Sequence, residues 1–170
     1  MPELPDIAIY LEALEQRILN QTLGGVQIAS PFLLRTETPP LTTAEGKRVL
    51  ALRRLGKRIC IGIEDDLWLV LHLMIAGRLH WKVNADRETA VGGSRTVTKA
   101  VSHTAKSRLA VFSFPSGTLS LTEAGTQRRA SLHLVQGEDE LQRFDPGGLE
   151  IFESDLESFG ERLQSANHTL

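Results

Sequence analysis

Between Gly25 and Val135 the sequence is cut into eight short runs, most of them rich in Leu, Val and Ile, separated by turn-forming residues. The runs are Gly25–Ser30, Arg48–Leu55, Arg58–Glu64, Leu67–Leu73, Gly77–Val83, Arg108–Phe114, Thr118–Thr122 and Ala130–Val135. Asp65-Asp66 and Pro115-Ser116-Gly117 are residues that suit tight hairpin turns. Short strands joined this closely predict an antiparallel sandwich or barrel. Leu67–Leu73 (LWLVLHL) is apolar almost throughout and is expected at the centre of a sheet. The polar stretch Asn84–Ser107, with Gly92-Gly93 and many Thr and Ser, is expected to be a long loop.

A helix is expected ahead of the strands. Pro2 and Pro5 suit a helix start, and Ile7, Leu11, Leu14 and Ile18 recur at spacings of three and four. Gly24-Gly25 is the expected stop. After Val135, Gly137–Arg143 reads as a short helix and Asp145-Pro-Gly-Gly148 as a break. Ser154–Leu163 reads as a further helix, with Leu156, Phe159 and Leu163 on one face. The fold class expected is therefore α+β, mainly β: an amino-terminal helix packed on a two-layer antiparallel sandwich. The division expected is a sandwich domain over residues 1–136, a linker over 137–152, and the start of a helical domain over 153–170.

The single cysteine, Cys60, excludes an internal disulfide and any multi-cysteine metal site within these residues. No uncharged run approaches the ~20 residues of a membrane span. The opening MPELPD carries acids in place of a basic start and apolar stretch, so no secretory leader is expected and a cytoplasmic setting is. The net charge of −2 hides an asymmetry: residues 1–136 hold 17 Lys and Arg against 12 Asp and Glu, and residues 137–170 hold 2 against 9. Lys47–Arg58 (KRVLALRRLGKR) contains six cations and no acid. Such a run serves either as a phosphate-attracting face or as a solvated strand surface.

The start of the chain carries the most chemistry. Met1 precedes the small residue Pro2, a context in which the initiator methionine is normally removed, and its loss would expose the secondary amine of proline. An α-amino group titrates near ~8, so a useful fraction is unprotonated and nucleophilic at neutral pH. Attack of such an amine on a sugar C1′ gives an iminium ion, an electron sink for later elimination. Glu3 stands beside it as a carboxyl able to shuttle protons. By themselves, Pro2 and Glu3 read first as a good helix start, because a Met-Pro-Glu opening is weak evidence of chemistry.

MPELPD resembles the start of the formamidopyrimidine-DNA glycosylase and endonuclease VIII family, in which the terminal proline is the nucleophile and the next glutamate the acid/base. Three further segments resemble that family in order: RRLGKR (Arg53–Arg58), HLMIAGRL (His72–Leu79) and GTQRRAS (Gly125–Ser131). The resemblance implies a bifunctional base-excision-repair enzyme. It would excise oxidised bases through a Schiff base on Pro2 and then cleave the strand by β- and δ-elimination. Glu3 would be the acid/base and Lys57 the conserved catalytic lysine near the lesion phosphate, with Arg54 and Arg58 on the same hairpin also binding DNA. Arg128 and Arg129 would both meet DNA, with Arg128 the one that enters the duplex where the damaged nucleotide leaves the stack. Ile75, next to Met74, falls where the family has a filler methionine; Ala130 falls where it has a filler phenylalanine. Asp6 replaces the usual glutamate.

Damaged double-stranded DNA is the partner implied, with no membrane, no obligate protein partner and a monomer expected. No cofactor is expected within these residues, since the family's zinc finger would lie beyond residue 170. Two rivals stand beside this reading. One is a truncated or degenerate family member that binds DNA weakly without catalysis. The other is a tautomerase-like use of the terminal proline as a general base, against which the strand-rich pattern argues.

Overall fold

The computed structural model describes residues 2–84, 107–125, 127–147 and 154–165. The inner part of the polar stretch 84–107, the Gly148 end of the break and residues 166–170 lie outside the described residues, as does Met1. Helix α1 (Leu4–Ile18) comes first, followed by strands β1 (Gly25–Ile28), β2 (Val49–Leu55), β3 (Arg58–Ile63) and β4 (Leu67–His72). Strands β5 (Gly77–Val83), β6 (Arg108–Phe114), β7 (Gly117–Glu123) and β8 (Ser131–Gln136) follow, then helices α2 (Glu138–Gln142) and α3 (Leu156–Ser165). A short 3₁₀ turn at Leu41–Ala44, not foreseen from the sequence, lies between β1 and β2.

The strands form two four-stranded sheets, β1-β6-β7-β5 and β2-β3-β4-β8. Every pairing between named strands is antiparallel. The α+β, mainly β class read from the sequence is the class observed. Alternation decides the layers. Ile59, Ile61 and Ile63 of β3 face Leu67, Leu69 and Leu71 of β4 in the main core, where they meet Leu109, Phe112, Leu119 and Leu121 of the other sheet. The residues of the other phase, Cys60, Trp68 and Val70, point to the opposite face together with Val135 of β8. There Leu141 of α2 and the ring of Phe144 cover them. Gly62 is forced on that face, because an added Cβ would come within 2.8 Å of the Trp68 ring.

Helix α1 buries Ile7, Leu14 and Ile18 in the main core. It ends well before Gly24-Gly25. Asn20 adopts a positive φ of 63°, and its N–H donates to the Val49 carbonyl at 2.8 Å. Asparagine tolerates the left-handed region, so the chain turns there into the Thr22–Arg48 bridge. Residues 137–144, read from the sequence as the start of a linker, lie on the sheet, with Leu141 fully buried. The stripe of α3 is exposed instead, with Leu156, Phe159 and Leu163 all open to solvent. Among the described residues no helix is long and apolar enough to cross a membrane.

Candidate nucleic-acid interface and active site

The chemistry-bearing residues gather at one end of the sandwich, and strand register explains why. Leu55 pairs with Arg58 across the β2–β3 hairpin, Arg58 pairs with His72, and His72 pairs with Ser131. The hairpin tip at Gly56-Lys57, the end of β4 and the start of β8 therefore form one row, about 5 Å from strand to strand. On the second sheet Gly77 pairs with Glu123 at the corresponding end. The β4–β5 and β7–β8 connections both pass from one sheet to the other here, which sets Ile75 beside the segment bearing Arg128 and Arg129.

Local sequence shapes each piece. Gly56 alone takes a positive φ, 56°, at the first position of the two-residue turn, leaving Lys57 at its tip. Gly77 N–H donates to the Leu73 carbonyl at 2.9 Å, closing the Met74–Ala76 turn. An added Cβ at Gly77 would stand 2.2 Å from that carbonyl oxygen, so only glycine fits. Met74 holds a positive φ of 54°, and this turns Ile75 outward until it is 54% exposed. Ile75, and not its neighbour Met74, is the apolar residue offered to solvent.

At the amino terminus Glu3 is the N-cap of α1 and Asp6 closes the cap, its Oδ2 accepting the Glu3 N–H at 2.8 Å. Pro5 occupies the first turn, where its missing N–H costs nothing. Held in this way, Glu3 Oε2 meets Lys57 Nζ at 2.6 Å. Pro2 is buried in the chain as it begins with Met1. The geometry thus unites Glu3, Asp6 and Lys57, with Pro2 adjoining by sequence.

The basic run of β2 and its hairpin is less of a single-sign face than its sequence reads. Lys47 pairs with Asp65, Arg48 with Glu64 at 3.1 Å and Arg53 with Glu138 at 2.8 Å, besides the Lys57–Glu3 pair. The Arg48 N–H and guanidinium hold Glu64 below the usual carboxylate range. Arg53 also stacks 4.4 Å above the Trp68 ring. Arg54 donates to the Gly56 carbonyl at 3.2 Å, and Arg58 donates to the Phe144 carbonyl at 2.9 Å. Arg58 therefore serves to fasten the segment after α2 to the outer sheet face. Burial, and then the Arg58 and Lys57 charges, push His72 below the usual histidine range.

Ile75, Glu123, Gln127 and Arg129 line an open depression of about 370 Å³. Arg128 is exposed on the same loop. Ala130 is buried in the main core and offers no wedge. Glu123, which sequence reasoning passed over, lies at the floor of this region as a buried carboxylate. Among the described residues no group of three or more His, Cys, Asp or Glu side chains could hold a metal ion.

The arrangement has known counterparts. Residues 1–129 match the model of the formamidopyrimidine-DNA glycosylase N-terminal domain. A formamidopyrimidine-DNA glycosylase from Dechloromonas aromatica is 37% identical over 86 residues, which are 48% of this chain and 31% of that protein. The one from Lactococcus lactis is 32% identical over 79 residues, 46% of this chain and 29% of that protein. The chain thus spans about a third of the length of these curated relatives.

Among solved structures, MutM in complex with DNA containing carbocyclic 8-oxo-G matches with a TM-score of 0.64 at 21% identity, covering 84% of this chain and 48% of that one. Lactococcus lactis Fpg in complex with DNA containing an abasic site matches with a TM-score of 0.64 at 19% identity, covering 84% and 47%. At such identities the structures establish the fold, whereas the family match covers most of the chain. By sequence and by architecture, this chain belongs to the formamidopyrimidine-DNA glycosylase family, as its amino-terminal domain.

Proposed function

We infer that the chain supplies the nucleophile-bearing half of a base-excision-repair DNA glycosylase and AP lyase. The observation that carries this reading is the Glu3–Lys57 ion pair, which joins the amino terminus to the end of the sandwich where Ile75 and Arg128 emerge. Loss of Met1 converts the Pro2 nitrogen from an amide into a secondary amine. That amine attacks C1′ of the damaged nucleotide, and the base leaves with the electrons of its glycosidic bond. Glu3 delivers a proton to the sugar-ring oxygen as the ring opens, leaving an iminium between Pro2 and C1′. Abstraction of a C2′ proton then expels the 3′ phosphate, and a second elimination expels the 5′ phosphate. Lys57 steadies the lesion phosphate as a point charge. Ile75 and Arg128 occupy the space that the extruded nucleotide vacates. The partner is damaged duplex DNA, and the setting is cytoplasmic.

Borohydride tests this directly, because it reduces the iminium to a stable amine and leaves protein attached to abasic-site DNA. The expected outcome is a trapped adduct with the wild type that is lost in Pro2→Gly and in protein retaining Met1. An adduct that persists undiminished in either would overturn the nucleophile assignment. A second reading, DNA binding without catalysis, draws on the pairing of Lys47, Arg48, Arg53 and Lys57 with the chain's own carboxylates. Salt-dependent binding to abasic duplex without adduct or cleavage would favour it.

A further inference from the structure

The connection between β7 and β8 has an anchor that the reaction scheme does not use. Glu123, the last residue of β7, is 2% exposed. Its carboxylate oxygens accept the Arg129 N–H at 3.0 and 2.9 Å and the Ala130 N–H at 3.1 Å. Burying a carboxylate is costly unless it is hydrogen-bonded, and bonds to an ionised acceptor are about twice as strong as neutral ones. The loop is thereby fixed at both ends, at Glu123 through its sheet pairing with Gly77 and at Ala130 through burial in the core. Gln127, Arg128 and Arg129 are all exposed between these points. The Arg129 guanidinium donates to Gln127 Oε1 at 2.9 Å, stiffening the tip further.

We propose that Glu123 is a positioning residue whose buried carboxylate holds the Gln127–Ala130 segment, so that Arg128 meets a DNA duplex beside Ile75. Glu123 itself touches no DNA. The proposal rests on the repair reading above. Its chemical requirement is specific: Oε2 accepts from both amides and Oε1 shares the Arg129 N–H, so no group facing these amides can be a donor. Glu123→Gln keeps the shape but removes the charge; with its oxygen at the Oε2 position its NH₂ faces the Arg129 N–H, and in the other orientation both amides lose their main acceptor.

In the polypeptide as its gene encodes it, Glu123→Gln is expected to raise the Kd for abasic-site duplex about tenfold. Borohydride trapping at saturating DNA should stay within about twofold of wild type, since the Glu3–Lys57 pair is untouched. Hydrogen exchange at the Arg129 and Ala130 amides should accelerate while exchange in β3 and β4 does not. In an Arg128→Ala background the same substitution should change Kd by less than about twofold, because the two residues act through one loop. An unchanged Kd, an equal loss in trapping at saturation, or full additivity with Arg128→Ala would each overturn the proposal. If Glu123→Gln no longer melts cooperatively, Glu123→Asp carries the same readouts, with the charge kept and the reach shortened by one methylene. Wild-type protein that fails to bind abasic duplex would overturn the repair reading as well. Wild-type binding matched by the variant would overturn the role of Glu123 alone.

Discussion

One carboxylate, that of Glu3, caps a helix and also holds the lysine of a hairpin, and the two duties differ in strength. The Lys57–Glu3 pair is half-exposed, with the side chains 41% and 52% accessible, so screening by water leaves it a small stabilising effect. Lys57→Ala should therefore change thermal stability by about 0–1 kcal/mol, while lowering borohydride trapping on abasic DNA by about tenfold. Equal loss of both would make the pair structural. Cys60 is the opposite case. Burial pushes its thiol up to about 12, so the reactive thiolate is absent at neutral pH. A thiol reagent at pH 8 should leave native protein unmodified and label it only on unfolding. Glu3 and Lys57 were legible in the sequence because short motifs carry them. Glu123 was not, since an acid closing a strand looks like any surface acid and its partners are backbone amides six and seven residues further on. The carboxylates that neutralise the basic run were hidden for a related reason. Asp65 and Glu64 lie in the next turn, and Glu138 lies 85 residues from Arg53.

Among the elements, the β4–β5 turn is the most tightly specified. Gly77→Ala places a Cβ against the Leu73 carbonyl at 2.2 Å, a backbone contact that cannot swing aside. The expected loss is about 2–4 kcal/mol, together with weaker binding to abasic duplex as Ile75 is displaced. A melt within 1 °C of wild type would show that the turn has room the geometry denies it. The strands were largely legible because alternation and turn chemistry act locally. Every run read as a strand is one, within two residues at either end. Helix ends were less legible. Asn20, not Gly24-Gly25, turns the chain out of α1, because the Val49 carbonyl is there to receive its N–H, and only the folded sheet supplies that partner. Helix α3 was readable as amphipathic, yet the pattern could not say what its apolar face would meet.

For the molecule as a whole, two half-buried histidines set a dependence on pH. Burial and then Arg58 depress both His72 and His133, with Lys57 adding to the first and Arg35 and His72 to the second. The unfolded chain then binds more protons than the native one below the ordinary histidine value of 6.5. Stability contributed here is complete above that value and is lost as pH falls through the depressed range. Urea midpoints should decline from pH 7 to pH 5, and His72→Gln with His133→Gln should flatten the decline. The two-sheet architecture could be read from the sequence, but which strands share a sheet could not, because β4 hands over to β5 across the core and β7 to β8 likewise. Those two handovers occur at the same end, and they carry Ile75 and Arg128. On the repair reading, a face made of seams has no existence apart from the closure of the layers it joins: part the two sheets and the proposed grip on a lesion would dissolve with them. Loss of DNA binding and loss of tertiary signal should therefore superpose in a denaturant titration, leaving no plateau of folded but idle protein.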